Sequence, residues 1–176
     1  MIFKCPITTG LLQIGKHEVG TVDFKNERTI WEVYGTVIIG GKVSIGSGSK
    51  ISVAKDSTLK FGENFILTGR SSIICQNSIS FGKHCLLSWD ILIMDTDFHK
   101  ILNEEHEVVN SPSSIQIGDH VWIGCRCTIL KGVTIVDDVV IAACSTITHS
   151  IKMNGVVYGG NGRSANVLKT GVTWEL

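Results

Sequence analysis

Residues 117–147 read IGDHVWIGCRCTILKGVTIVDDVVIAACSTI, and every sixth position of that stretch (Ile117, Ile123, Ile129, Ile135, Ile141 and Ile147) is isoleucine. Four residues after each of the first five stand Val121, Cys127, Val133, Val139 and Ser145, all small enough for a tight interior. A period of six is neither the 3.6 of a helix nor the 2 of a free strand, so the chain must turn a corner at regular intervals. That is the mark of a solenoid. If three such units close one coil, the spacing predicts that Ile117 stacks on Ile135, Ile123 on Ile141 and Ile129 on Ile147.

The same beat runs upstream with slips. Val33, Ile39, Ile45 and Ile51 keep step, Phe61, Leu67, Ile73 and Ile79 form a second frame, and Phe81, Leu87 and Ile93 a third. The offset positions Val37, Val43, Ser49, Phe65, Ser71, Cys85 and Ile91 are again apolar or small. About six or seven coils fit, each adding about 4.8 Å along the axis at the usual strand spacing. The expected architecture is one all-β domain over 1–176: an irregular cap over 1–35, coils over 36–152 interrupted by a loop over about 99–116, and a C-terminal extension over 153–176.

Composition fits a rod with a dry aliphatic interior. Hydrophobic residues make up 43% and charged ones 18%, against about 25% charged in ordinary domains. The 19 glycines suit corners that need positive φ or close backbone approach, and just 2 prolines leave the strand ladders intact. With 16 basic and 16 acidic residues the chain lacks the electrostatic footprint of a nucleic-acid or anionic-membrane binder. Its apolar runs fall short of the roughly 20 residues a span requires, and MIFKCPITTG does not read as a secretory signal. The expectation is a cytoplasmic protein with no membrane insertion and no nucleic-acid partner.

Six cysteines occupy periodic strand and corner positions rather than a disulfide framework. Cys125 and Cys127 have no second ligand pair at structural-zinc spacing, and no two histidines stand five apart, so no metal is expected.

The rhythm breaks once. After Ile93 the chain runs MDTDFHKILNEEHEVVNSPSS before the beat resumes at Ile117. So polar a stretch cannot line the interior and reads as a loop thrown from a corner, where chemistry is commonly mounted on a rigid scaffold. His99 stands at its root, where counting from Ile93 would demand an aliphatic. An imidazole, with a reference pKa of about 6.5, can accept a proton near neutrality, and a neighbouring carboxylate can fix its tautomer. Asp97 or Asp95 could be that carboxylate, with Asp97 the nearer in sequence; alternatively the aspartates cap the turn or bind an acceptor.

The run IGDHVWIGCRCTILKGVTIVDDVVIAACSTIT, preceded by DTDFH and followed by VVYGGNGRSANVLKTGVTW, resembles the hexapeptide-repeat acyltransferases. The likeness is to the branch of maltose and galactoside acetyltransferases and polysaccharide O-acetyltransferases, over about residues 60–175. It implies a left-handed parallel β-helix, an exception to the right-handed crossover rule, and a homotrimer with active sites between subunits. It also implies acetyl-coenzyme A as co-substrate, with no permanently bound cofactor. Carried over by position, His99 is similar to the family's general base, and Cys125 falls where a backbone N–H holds the oxyanion. Trp122, Gly124, Ala142, Ala143 and Thr148 match positions along the coenzyme A groove. Where the family reads Gly-Asn-Pro-Ala-Lys, this chain has Gly160, Asn161, Gly162, Arg163 and Ser164, which leaves Arg163, with Lys169 behind it, as the candidate for the cofactor's phosphate. Thr68 and Gln76 replace the acid and amide that galactoside acetyltransferases use on their sugar, and Asp95 is a further acceptor candidate. The implied activity is acetyl transfer to a sugar hydroxyl, with a surface-polysaccharide precursor as the implied acceptor, by direct attack with a histidine base. N-acetylation of an amino sugar and a non-catalytic trimerising module are the alternatives.

Overall fold

The computed structural model describes residues 1–16 and 19–176; His17, to which the sequence assigns no role, lies outside the described residues. Short strands stack in parallel on three faces. The first holds Ile2–Phe3, Thr36–Ile39, Thr58–Phe61, Ser78–Phe81, Ile115–Ile117 and Thr134–Ile135. The second holds Leu12–Lys16, Val43–Gly46, Phe65–Gly69, Leu86–Trp89, Trp122–Ile123, Val139–Ile141, Val156–Gly159 and, antiparallel at its edge, Asn166–Thr170. The third holds Ile30–Val33, Lys50–Val53, Ser72–Cys75, Leu92–Met94, Thr128–Leu130 and Thr146–Ile147. The chain visits the faces in turn, once per coil, as a left-handed parallel β-helix.

The expected stacking is found: Ile117 pairs with Ile135, Ile123 with Ile141 and Ile129 with Ile147. These side chains and the small residues at Val121, Cys127, Val133, Val139 and Ser145 are all buried. Many corners are turned by a residue in the left-handed region, and in the regular half these too recur every six positions: His120, Arg126, Gly132, Asp138 and Cys144. Glycine fills just one of those five corners, although left-handed φ costs an ordinary residue about 1–2 kcal/mol. Other glycines serve close approach. A Cβ on Gly62 would lie 2.2 Å from the Gly82 carbonyl oxygen, and one on Gly82 would lie 2.5 Å from the Gly118 carbonyl carbon.

Upstream the register explains the slipping frames. Ile45 pairs with Leu67, and Leu67 with Leu87, so these coils are two to four residues longer than the later ones. The extra residues go into corners and leave the interior in step, where Phe61, Phe65 and Phe81 form an aromatic plug with centroids 4.6–5.7 Å apart.

Three expected boundaries are corrected. Residues 1–35 are not merely an irregular cap: Ile2–Phe3, Leu12–Lys16 and Ile30–Val33 each pair with the coil above and make a first coil. The loop begins near Asp97 and ends before Ile115, which is fully buried and pairs with Ile79. The C-terminal segment opens as part of the solenoid, since Ile151 bridges to Ile135, Val156–Gly159 pairs with Val139–Ile141, and Asn161 bridges to Thr146. Only then does Asn166–Thr170 fold back and cover the edge of the second face. No helix among the described residues is long and apolar enough to cross a membrane.

Candidate active site

Strand Leu92–Met94 ends on the third face, and the chain leaves the coil through the buried pair Asp95 and Thr96. Asp95 is fully buried, and its two carboxylate oxygens accept the backbone N–H groups of Gln76 (2.7 Å) and Asn77 (2.9 Å) on the coil below. It is therefore a structural cap, neither a partner of His99 nor an open acceptor contact, because both oxygens are committed to a corner that would otherwise leave two amides unpaired.

Asp97 also departs from the role expected of it. Its carboxylate lies against the Lys131 ammonium and takes the Asn110 side-chain amide at 2.9 Å; its bond to His99 is through the backbone, His99 N–H to Asp97 C=O at 2.7 Å. The hydrogen bonds from Lys131 and then Asn110 hold the Asp97 carboxyl below its ordinary range. Asn110 donates a second bond to the His99 carbonyl (2.8 Å) and accepts from Ile101 N–H (2.6 Å), while Lys131 also reaches the carbonyls of Asn110 (2.8 Å) and Ser111 (3.4 Å). Both ends of the loop are thus stapled to one lysine of the next coil. The carboxylate fixes the loop that carries the imidazole, and the ring itself is exposed. Sequence reading missed Lys131 and Asn110, which lie 34 and 13 residues from Asp97.

His99, Asp97 and Gln76 line one cavity of about 340 Å³. Thr68 is not with them: it sits in the Phe65–Gly69 strand of the second face, where its hydroxyl oxygen is buried and has no partner among the described residues. Trp122, half-buried on the second face, donates its indole N–H to Ser88 Oγ at 3.2 Å. Cys125 occupies the corner between the second and third faces, with Ala143 at the same corner one coil on. Among the described residues, neither the Cys125 nor the Ala143 backbone N–H finds an acceptor. A Cβ on Gly124 would meet Ala143 N at 2.7 Å and Ile141 O at 2.9 Å, so its smallness is taken up by the adjoining coil rather than by space for a ligand. Ala142 spends its carbonyl on Ser145 Oγ (2.7 Å) and Cys127 Sγ (3.1 Å). Thr148 lies just beyond the third-face strand Thr146–Ile147, within 2.8 Å of His149 Nδ1. Arg163 is exposed on a 3₁₀ turn just past the last corner, and Lys169 is exposed on the antiparallel edge strand.

The candidate residues therefore form two groups on different edges of the prism. His99, Asp97 and Gln76 stand at the edge between the third and first faces; Trp122, Gly124, Cys125, Ala142 and Ala143 stand at or beside the edge between the second and third. The thiols beside the second group are not equivalent. Burial pushes Cys127 up to about 11, whereas Cys144 is exposed.

Residues 114–149 match the family described as bacterial transferase hexapeptide (six repeats). Among curated proteins, the chain is 42% identical over 65 residues to a polysialic acid O-acetyltransferase of Neisseria meningitidis (36% of this chain, 30% of that one). It is 30% identical over 137 residues to a galactoside O-acetyltransferase of Escherichia coli K12 (77% and 64%). The chain thus spans less than two thirds of the length of either relative. Among solved structures, the fold is similar to that of an N-acyltransferase, AntD, from Bacillus cereus in complex with dTDP-4-amino-4,6-dideoxyglucose and coenzyme A (TM-score 0.59, 16% identity, 91% of this chain and 83% of that one).

Proposed function

We propose that this hexapeptide-repeat protein is an acetyl-coenzyme A-dependent O-acetyltransferase acting on a sugar hydroxyl, with surface-polysaccharide assembly in the cytoplasm as its setting. The observation that carries the reading is the presentation of His99: an exposed imidazole on a loop stapled at both ends, facing a cavity that also holds Gln76. An inert rod has no use for such a device. The two sugar O-acetyltransferases among the relatives support the acceptor class.

In this mechanism the acceptor hydroxyl attacks the thioester carbonyl while His99 takes its proton. The new C–O bond forms as the carbonyl π electrons move onto oxygen, and the oxyanion is held by the Cys125 N–H, a preorganised donor typically worth about 3–4 kcal/mol. Collapse breaks the C–S bond, and His99 returns the proton to the departing thiolate. No acyl-enzyme forms.

Because the His99 edge and the Cys125 edge are separated by the third face, one chain does not bring base and oxyanion donor together. On this reading the site is completed by a neighbouring copy, in a homotrimer. The third face supports this: outward from it point Ile74, Met94 and Leu130 in one paired row, with Leu92 beside them, all half-buried in the single chain. On the first face the corresponding outward row begins with Ile2 and Ile38 and is polar from there on, through Lys60, Ser80, Gln116 and Thr134.

Thiol release from acetyl-coenzyme A across a sugar panel tests the proposal. His99→Ala should lose about 10²–10⁴ in turnover, whereas Cys125→Ala, which keeps the N–H, should retain most of it. The reverse pattern would overturn the assignment.

A further inference from the structure

A cavity with apolar walls lies outside the candidate site on the second face, about 430 Å³, within the range of small-molecule sites of about 300–1,000 Å³. Its lining includes Lys42, His84, His120, Ile66, Trp174 and the last residue, Leu176, and among the described residues no Asp or Glu side chain lines it. Trp174 comes from the C-terminal segment, which folds back over the coils. Its indole N–H donates to the His120 carbonyl (3.0 Å), and its ring stacks on the His120 imidazole with centroids 4.5 Å apart and planes 10° from parallel. His120 Nδ1 is in turn held by the Asp138 carboxylate at 2.8 Å.

These contacts define what the cavity can take. With one face of its indole spent on His120 and only 9% of the residue exposed, Trp174 offers an apolar wall and not a stacking platform, which disfavours a nucleobase. Ile66 adds a second aliphatic wall. In the same lining the exposed Lys42 presents an ammonium and the exposed His84 an imidazole whose Nδ1 lies 3.5 Å from Asn64 Nδ2. Apolar walls beside an ammonium and an imidazole suit a sugar ring whose C–H surface lies on Ile66 and Trp174 while an attached anion meets Lys42 and His84.

The cavity also points along the face. Ile66 pairs with Leu86, and Leu86 with Trp122, so Ile66 and Trp122 stand on one outward row two rungs apart, about 10 Å at the usual spacing. Trp174 closes the gap, with its ring 6.1 Å from that of Trp122. We propose that this cavity is a subsite for a negatively charged sugar unit, and, resting on the function proposed above, that the acceptor is an acidic glycan lying along the row Ile66–Leu86–Trp122. The charge is a carboxylate or a phosphate, and both use the same donors.

The test is binding to the full chain without acetyl donor, read from the Trp174 indole N–H resonance, which is assigned by its loss in Trp174→Phe. The probes are methyl glucuronide, glucose 1-phosphate and neutral methyl glucoside. At least one anionic probe should shift the Trp174 signal and bind at least tenfold more tightly than the neutral one, and the better of the two names the anion. Lys42→Met, and His84→Asn, which tolerates the left-handed backbone at that position, should each weaken it about tenfold, while His99→Ala leaves it unchanged. Equal affinity for charged and neutral probes, a silent Trp174 signal, or indifference to both Lys42→Met and His84→Asn would overturn the subsite. If the acidic probes bind as expected but no acidic acceptor releases thiol, the subsite stands and the transferase reading falls.

Discussion

Replacing Lys131 with methionine should free the loop that carries His99 without unfolding the rod. The ammonium is 24% exposed and bonds the Asp97 carboxylate and the carbonyls of Asn110 and Ser111. Methionine keeps the stem and removes all three bonds. A hydrogen bond to a charged group is worth about 1.5–3 kcal/mol, but Asp97 is 42% exposed, and solvent screening brings the net loss to about 1–1.5 kcal/mol. That corresponds to about a tenfold rise in the open population of the loop. Hydrogen exchange should report it at two amides closed by the staple, Ile101 N–H on Asn110 Oδ1 and Val109 N–H on Ile101 C=O, with strand amides unaffected. If the function is as proposed, kcat should fall several-fold with little change in KM for acetyl-coenzyme A, and Lys131→Arg should recover part of it. The pH dependence has a definite sign. Because the folded carboxyl of Asp97 is held below its ordinary value near 3.8, its contribution is complete above that value and is lost as pH falls through the lowered pKa. In Lys131→Met that loss should move up towards pH 4. Unchanged exchange at Ile101 and Val109 would refute the staple.

Asp95→Asn replaces one of two amide-accepting oxygens with a donor at a fully buried corner, so urea melts should show about 1–3 kcal/mol of destabilisation; per folded molecule the rate should stay near wild type, and a collapse matching that of His99→Ala would restore Asp95 to the chemistry. Burial raises the thiols of Cys75 and Cys127 to about 11 and of Cys85 to about 12. Groups whose folded pKa is raised contribute fully at low pH, so stability should erode as pH rises from about 9 towards 11–12, with the Cys75→Ala, Cys85→Ala, Cys127→Ala combination flattening that limb. At pH 8 iodoacetamide should modify the exposed Cys144 and spare the three interior thiols, and labelling of Cys85 in the folded protein would contradict the packing.

What the sequence disclosed and what it hid divide along a physical line. The stack of Ile117 on Ile135 was readable because each corner from 117 to 147 uses the same number of residues, so the interior positions recur without error. Upstream the interior is just as regular in space, yet corners of unequal length shift the frame, so the pairing of Ile45 with Leu67 cannot be counted out. The first coil was hidden for a different reason: Ile2, Phe3 and Ile30 are exposed, and Trp31 is only half-buried, so no buried period marks their strands. His99 was legible as a break in the beat. Its staple was not, because Lys131 comes from the next coil and meets the loop only after a full circuit of the helix. Asp95 and Asp97 look alike in DTDFH, and burial alone separates them: one is sealed beneath the corner, the other half-open beside an ammonium.

The division of candidate residues between two edges bears on how chemistry can be built on a solenoid at all. A β-helix holds each corner rigidly, and every coil repeats the same three edges, so groups on different edges of one chain stay a face-width apart, about 10 Å for the three-residue strand Thr128–Leu130. Transfer between two substrates needs base, oxyanion donor and both reacting groups within a few ångströms. A loop thrown from one edge can shorten that distance only if it wraps its own rod or reaches another. Here Asn110 and Lys131 hold the loop at its own edge, so it does not wrap. The remaining way to set His99 beside an unpaired amide such as that of Cys125 is to bring up the corner of a second copy, and the apolar row Ile74–Met94–Leu130 lies on the face between those two edges. If His99 acts as proposed, stapling the loop and keeping that apolar row on the face are two halves of one arrangement, since a base fixed on its own prism is useful only if the neighbouring prism is fixed as well.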